Sequence, residues 1–125
     1  MKHLLDVNVL LARLVATHQD HGKVSAWLAA NPDIVLCPIC ELGFLRVSTL
    51  PKFGFPMAAA RQALEAIAKQ MKAERIADDL PALDSHPRTS AQVTDRYLAD
   101  LAARHGLKLA TLDAGINHPS AELIK

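Results

Sequence analysis

"LLDVNVLLA", residues 4–12, has seven apolar side chains among nine, the composition of a segment inside a core, yet Asp6 and Asn8 interrupt it two positions apart. A lone carboxylate in apolar surroundings is expensive, so Asp6 needs a partner: a cation, hydrogen-bond donors or a metal ion. The preceding "HLL" (3–5) reads as a short apolar strand. From Val7 onward, apolar positions 7, 10, 11, 14 and 15 follow a helical period. Asp6 thus stands where a strand hands over to a helix.

The same alternation continues outward from that junction. After a turn at "THQD", "HGKVSAWLAA" (21–30) reads as a helix stopped by Asn31 and Pro32. "DIVLC" (33–37) is a buried strand, and Pro38, at a first helical position, opens "PICELGFLRVSTL", which Pro51 ends. The loop "PKFGFP" leads to a long Ala-rich helix from Pro56 to Glu74, followed by a short strand in "RIADD" (75–79) and a polar connection, "LPALDSHPRTS". "AQVTDRYLADLAARH" (91–105) is a further helix, with Gly106 as its C-cap. "LKLATLD" (107–113) and "AELI" (121–124) close the chain as strands. Strands alternating with helices predict a single α/β domain over residues 1–125, three layers deep, whose mainly parallel sheet of four to five short strands is flanked by helices.

Composition excludes several classes. Half of the 125 residues are apolar, enough for a substantial core, and 14 Lys plus Arg stand against 13 Asp plus Glu, so no gross basicity announces a polyanionic partner. Asp6, Asn8 and Arg13 break the first apolar stretch, which therefore lacks the form of a secretory signal. No window has the length of a membrane span, and a cytoplasmic protein with no membrane partner is the expectation. Cys37 and Cys40 form "CPIC", a spacing shared by zinc sites and thiol redox enzymes. A zinc site needs two further ligands in a recognisable pattern, and none follows. The apolar flanks favour two buried thiols packed as small hydrophobes.

In a parallel sheet, ligands bind at the carboxyl ends of the strands. Asp6 and Asp113 both stand at such ends, Glu41 lies one turn into the helix after "IVLC", and Asp95 lies in the first turns of the helix before the Asp113 strand. Four carboxylates from distant segments are thereby expected to converge. At about 5 Å and an effective dielectric near 20, each ionised pair repels by roughly 3 kcal/mol. A hard divalent cation, Mg²⁺ or Mn²⁺, removes that repulsion and prefers carboxylate oxygen and retained water. Such an ion activates water for attack on phosphorus. A second reading stands beside this one, because Asp6 and Asp95 also occupy positions where a carboxylate caps a helix.

The segments "LLDVNVLLA", "CPICELGFLRV" and "TDRYLADLAARHGLKLATLD", in that order, resemble the PIN-domain ribonucleases, and especially the VapC-type toxins of bacterial toxin-antitoxin systems. The resemblance implies a PIN-like fold and a Mg²⁺- or Mn²⁺-dependent endoribonuclease whose four acids are Asp6, Glu41, Asp95 and Asp113. It implies that Asn8 and Thr111 support the first and last of these by hydrogen bonds. Arg46 matches a recurrent basic position and either holds a substrate phosphate or pairs with an acid of the cluster. The implied substrate is structured transfer or ribosomal RNA, and the implied partners are a cognate antitoxin, whose segment covers the acidic cleft, and a second copy in a homodimer. Asp100, about 140° round the helix from Asp95, is expected to face elsewhere as a surface charge. Asp78, Asp79 and Asp84 are read as solvated, Trp27 as a core residue, and His21 as structural or exposed. Arg61, Lys69, Lys72 and Arg75, assigned to the long helix, and Lys52, Arg88, Arg96 and Arg104 form either a rim for RNA phosphates or an ordinary solvated face. Two other classes remain as alternatives: a catalytically silent PIN-like binding module, and a thiol redox or zinc protein centred on "CPIC".

Overall fold

Strand β1 (His3–Leu5) lies in the middle of a five-stranded sheet, and its three residues are all buried. The computed structural model describes all 125 residues. β1 leads through Asp6 into helix α1 (Val7–Leu14), then α2 (His21–Ala30), β2 (Ile34–Leu36), α3 (Pro38–Ser48), α4 (Met57–Gln70) and β3 (Glu74–Arg75). Two short 3-10 turns, at 82–84 and 90–92, precede α5 (Val93–Arg104), β4 (Lys108–Thr111) and β5 (Ala121–Leu123).

Every strand pairing is parallel, and the sheet order is β3-β2-β1-β4-β5. The chain lays strands outward on one side of β1, then returns to place β4 and β5 on the other. The reversal falls between β1 and β4, where parallel sheets open a crevice at their carboxyl ends. Five helices flank this sheet in the three-layer arrangement expected from the alternating pattern. Leu4, Leu5, Leu10, Phe44, Leu98, Leu101 and Leu109 are fully buried and form the centre of one contiguous core. No helix is long and apolar enough to cross a membrane.

Two elements differ from their sequence expectations. The long helix ends at Gln70, four residues short of Glu74, because Lys72 takes a positive φ of 51° that terminates it. The edge strand is Glu74–Arg75, displaced from the expected 75–79, so Lys72 and Arg75 do not lie on α4. The β4-to-β5 connection, residues 112–120, reaches a parallel neighbour without a helix.

Gly43 sets the distance between α3 and α1. A Cβ built there would lie 2.6 Å from Val7 Cγ2, well inside van der Waals contact. Valine in a helix is stiff at χ1, so the methyl has little room to swing away. Gly43→Ala is expected to destabilise the fold by about 1–3 kcal/mol, the usual cost of overpacking. The further change Val7→Ala should recover most of that loss in a denaturant double-mutant cycle, and an additive cycle would refute the contact.

Candidate functional site

Asp6 is only 4% exposed, and its backbone and side chain are both fully engaged. Its N–H donates to the Ala110 carbonyl of β4 (3.0 Å). Its Oδ1 accepts the Val7 N–H at 2.8 Å and so caps α1, while Oδ2 accepts the Thr111 hydroxyl at 2.8 Å. The capping and shared-site readings therefore apply to one and the same side chain.

Thr111 binds both acids of the crevice. Besides donating to Asp6, its oxygen accepts the Asp113 N–H at 3.1 Å and a long contact from Asn8 Nδ2 at 3.4 Å. Asn8 Oδ1 accepts the Leu112 N–H (3.2 Å), so Asn8 fastens the end of β4 and makes no bond to Asp6 itself. Asp113 Oδ1 accepts the Gly115 N–H at 2.8 Å, which fixes its rotamer at the start of the following loop. The carboxylate of Asp95, in the first turn of α5, has no protein hydrogen bond or ion pair.

The charges of Asp95 and Asp113 act on Asp6, and that of Asp113 acts on Asp95. Burial pushes the Asp6 carboxyl above the ordinary range, the Thr111 and Val7 bonds pull it part of the way back, and the charges of Asp95 and Asp113 raise it again. Asp95 is likewise raised, first by burial and then by Asp113. No Lys or Arg pairs with any of the three. In the arrangement shown, no three His, Cys, Asp or Glu side chains are gathered tightly enough to hold an ion, so the aspartates stand as neighbours short of a chelating cluster.

Glu41 sits in the first turn of α3, but its side chain turns to Arg75 of β3, with Nη2 to Oε2 at 3.3 Å. Its charge is not among the causes of the Asp6 and Asp95 shifts. Arg46, exposed in the last turn of α3, pairs with no acid; the cation that does so is Arg75, contributed by a segment 34 residues further along the chain. No spacing in the sequence signals that pairing.

Other residues resolve individually. Asp100 is not a free surface charge: it is partly buried and accepts the Ser85 hydroxyl (2.9 Å) and His118 Nε2–H (2.8 Å), tying two loops to α5. Asp79 is exposed, and its pairing with His105 holds its carboxyl below the ordinary range, while Asp84 is also exposed. Trp27 packs edge-on against the buried His3 ring, centroids 4.7 Å apart, as a core residue. His21 Nδ1 bonds the Ala12 carbonyl at 2.9 Å and joins α2 to α1. Cys37 and Cys40 are free, buried and 3.3 Å apart at sulfur, and the Cys37 bond and burial hold the Cys40 thiol well above its usual pKa. Both thiols are buried in the core, the placement expected of cysteines packed as small hydrophobes.

The PIN domain family model matches residues 3–121. Ribonuclease VapC38 of Mycobacterium tuberculosis is 38% identical over 121 residues, covering 90% of this chain and 86% of the relative. Ribonuclease VapC29 of the same organism is 37% identical over 122 residues, covering 94% and 90%, and ribonuclease VapC44 is 33% identical over 127 residues, covering 93% and 89%. The fold, with acids at the crevice between β1 and β4, and these matches define the class: the chain belongs to the PIN-domain family. Its matched relatives are VapC-type members of that family, so the resemblance carried by the three motifs holds over nearly the whole chain.

Asp6→Asn tests whether the Thr111 hydrogen bond or charge repulsion dominates at this position. Asparagine caps a helix as well as aspartate does, so the substitution keeps that role while removing charge. Without metal, the Tm is expected to be unchanged or higher. A group whose native pKa is raised is more protonated when folded, so wild-type stability in chelator should fall as pH rises through the raised range of Asp6 and Asp95, and Asp6→Asn should flatten that fall. A marked loss of metal-free stability would show that the Thr111 hydroxyl requires the second carboxylate oxygen, which asparagine lacks.

Proposed function

We propose that this protein is a metal-dependent endoribonuclease of the VapC type, hydrolysing RNA phosphodiester bonds at the crevice between β1 and β4. The observation that carries the reading is the set of three aspartates: Asp95 and Asp113 raise the proton affinity of the buried Asp6, Asp113 raises that of Asp95, and none of the three is ion-paired with a Lys or Arg. An all-oxygen donor set with unbalanced charge suits Mg²⁺ or Mn²⁺ better than softer metals. The three aspartates would hold the ion, and Glu41 would join them, or orient the attacking water, on leaving Arg75. Bound there, the ion supplies an activated water and charge balance at phosphorus.

The chain's own residues do the positioning. Thr111 holds Asp6 in one rotamer through its hydroxyl and draws the Asp113 backbone into the same hydrogen-bonded unit. Asn8 secures the strand end that carries both Thr111 and Asp113. Removing supports of this kind typically costs 10–100-fold in metal affinity or activity.

The substrate class follows from the family, with structured transfer or ribosomal RNA as the target and the cytoplasm as its setting. An exposed groove between α3 and α4 is lined by Glu41, Leu45, Met57, Arg61 and Arg75. Met57 and the nearby Leu42 and Leu50 are exposed apolar side chains. This surface suits a segment of a cognate antitoxin that presents an arginine to the acids. A homodimer completes the proposed assembly.

Labelled RNA should be cut by wild type in Mn²⁺ and left intact in chelator, and Asp6→Asn should abolish cleavage while folding normally. Absence of cleavage with Mn²⁺ would favour a silent binding module. Thr111→Val should lower activity by about 10–100-fold. An exposed ion pair is worth about 1 kcal/mol or less, so Arg75→Gln, which frees Glu41, should tighten apparent Mn²⁺ affinity by up to about fivefold. Weakened Mn²⁺ binding in that variant would count against Glu41 as a ligand.

A further inference from the structure

Beside Asp95 the surface opens into a polar cavity of about 430 Å³, whose wall includes His86, Arg88, Asp95, Arg96, Asn117 and His118 and has Ile116 as its one apolar residue. The volume lies within the range of small-ligand pockets, while the lining is unsuited to an apolar side chain. Three segments meet here: the connection before α5, the first turns of α5 and the loop from β4 to β5.

Two features point to an anion. Arg88 and Arg96 form no ion pair with any carboxylate, although surface acids are plentiful. Arg96 Nε is buried with no hydrogen-bond partner, an arrangement that disfavours the protein alone and leaves positive charge uncompensated at the cavity wall. A phosphate is the ligand that arginine's planar fork matches.

The cavity is also held in shape before any ligand arrives. Asp100 accepts from both Ser85 and His118, so the loops on either side are fastened to α5. The Ser120 N–H donates to His118 Nδ1 at 3.0 Å, which leaves the ring proton on Nε2, directed at Asp100. Arg88 N–H donates to Gln92 Oε1 at 2.9 Å and sets the entry of the chain into the helix. Asp100 is a positioning residue of this cavity.

We infer that the cavity seats one nucleotide of single-stranded RNA, its phosphate on Arg88 and Arg96, next to the phosphate attacked at the aspartates. The inference rests on the ribonuclease reading for the identity of the polymer. Asp95 belongs to both sites, so a strand lying in the cavity passes directly to the acidic crevice. A cavity of this size admits a splayed nucleotide and no duplex, in keeping with the usual recognition of unpaired RNA.

The test measures binding of a fluorescently labelled single-stranded oligoribonucleotide to the full chain in chelator, where nothing is cut. Arg88→Gln and Arg96→Gln should each weaken binding about tenfold and reduce the slope of log Kd against log salt by about 0.7, the value for one phosphate contact on a single strand. Lys23→Gln, which removes one exposed charge from α2, should do neither. In Mn²⁺, both arginine variants should raise KM with kcat within about threefold of wild type, as for loss of uniform substrate binding. Arg88 is exposed, so its variant reports even if Arg96→Gln melts early. Affinity and salt slope in Arg88→Gln equal to those of Lys23→Gln would overturn the inference while leaving the hydrolase intact. Arginine variants that lose only a protein inhibitor, with RNA affinity unchanged, would overturn it as well. RNA that binds with the predicted arginine dependence yet is never cut in Mn²⁺ would instead overturn the hydrolase and support the cavity.

Discussion

The hydrogen bond from the Thr111 hydroxyl to the buried Asp6 carboxylate joins the ends of β1 and β4 at the one place where the sheet reverses its winding. Around it gather the cap of α1, the Asn8 tether and the Asp113 backbone, all anchored on two side chains. A buried carboxylate must have donors, and here the donors come from both elements that flank the crevice. One polar contact thereby both satisfies Asp6 and aligns the two strand ends that carry acids.

The same geometry stores an electrostatic conflict. Asp6 and Asp95 are raised by burial and by neighbouring negative charge, and no Lys or Arg pairs with either; Arg75 pairs with Glu41, Arg104 with Asp79 and Lys2 with Glu74. Residues that serve only the fold seldom keep like charges together without compensation. Perturbed carboxylates in a cleft are the mark of a functional site, and in the proposed reading a divalent ion provides the missing charge.

Beyond the aspartates, the site divides by charge. Glu41 and Arg75 line the groove of α3 and α4, with its exposed apolar side chains, whereas Asp95 lines a cavity edged by unpaired arginines. In the proposed reading a protein inhibitor takes the first surface and a polyanionic strand the second.

Strand-to-helix junctions at Asp6 and Cys37, the helical periods and the Gly106 cap were all legible from residues 1–125, because they depend on local periodicity and on Pro, Gly and capping chemistry. The placement of Asp6, Asp95 and Asp113 at strand ends or a helix start was legible too, since local pattern defines those locations. Tertiary structure alone decided the strand order, the pairing of Glu41 with Arg75, and the capture of Asp100 by Ser85 and His118. Those partners are separated by 34, 15 and 18 residues and come from loops or an edge strand, where no periodicity constrains which side chains meet. The end of α4 likewise turned on a positive φ at Lys72, a conformation that composition does not announce for lysine.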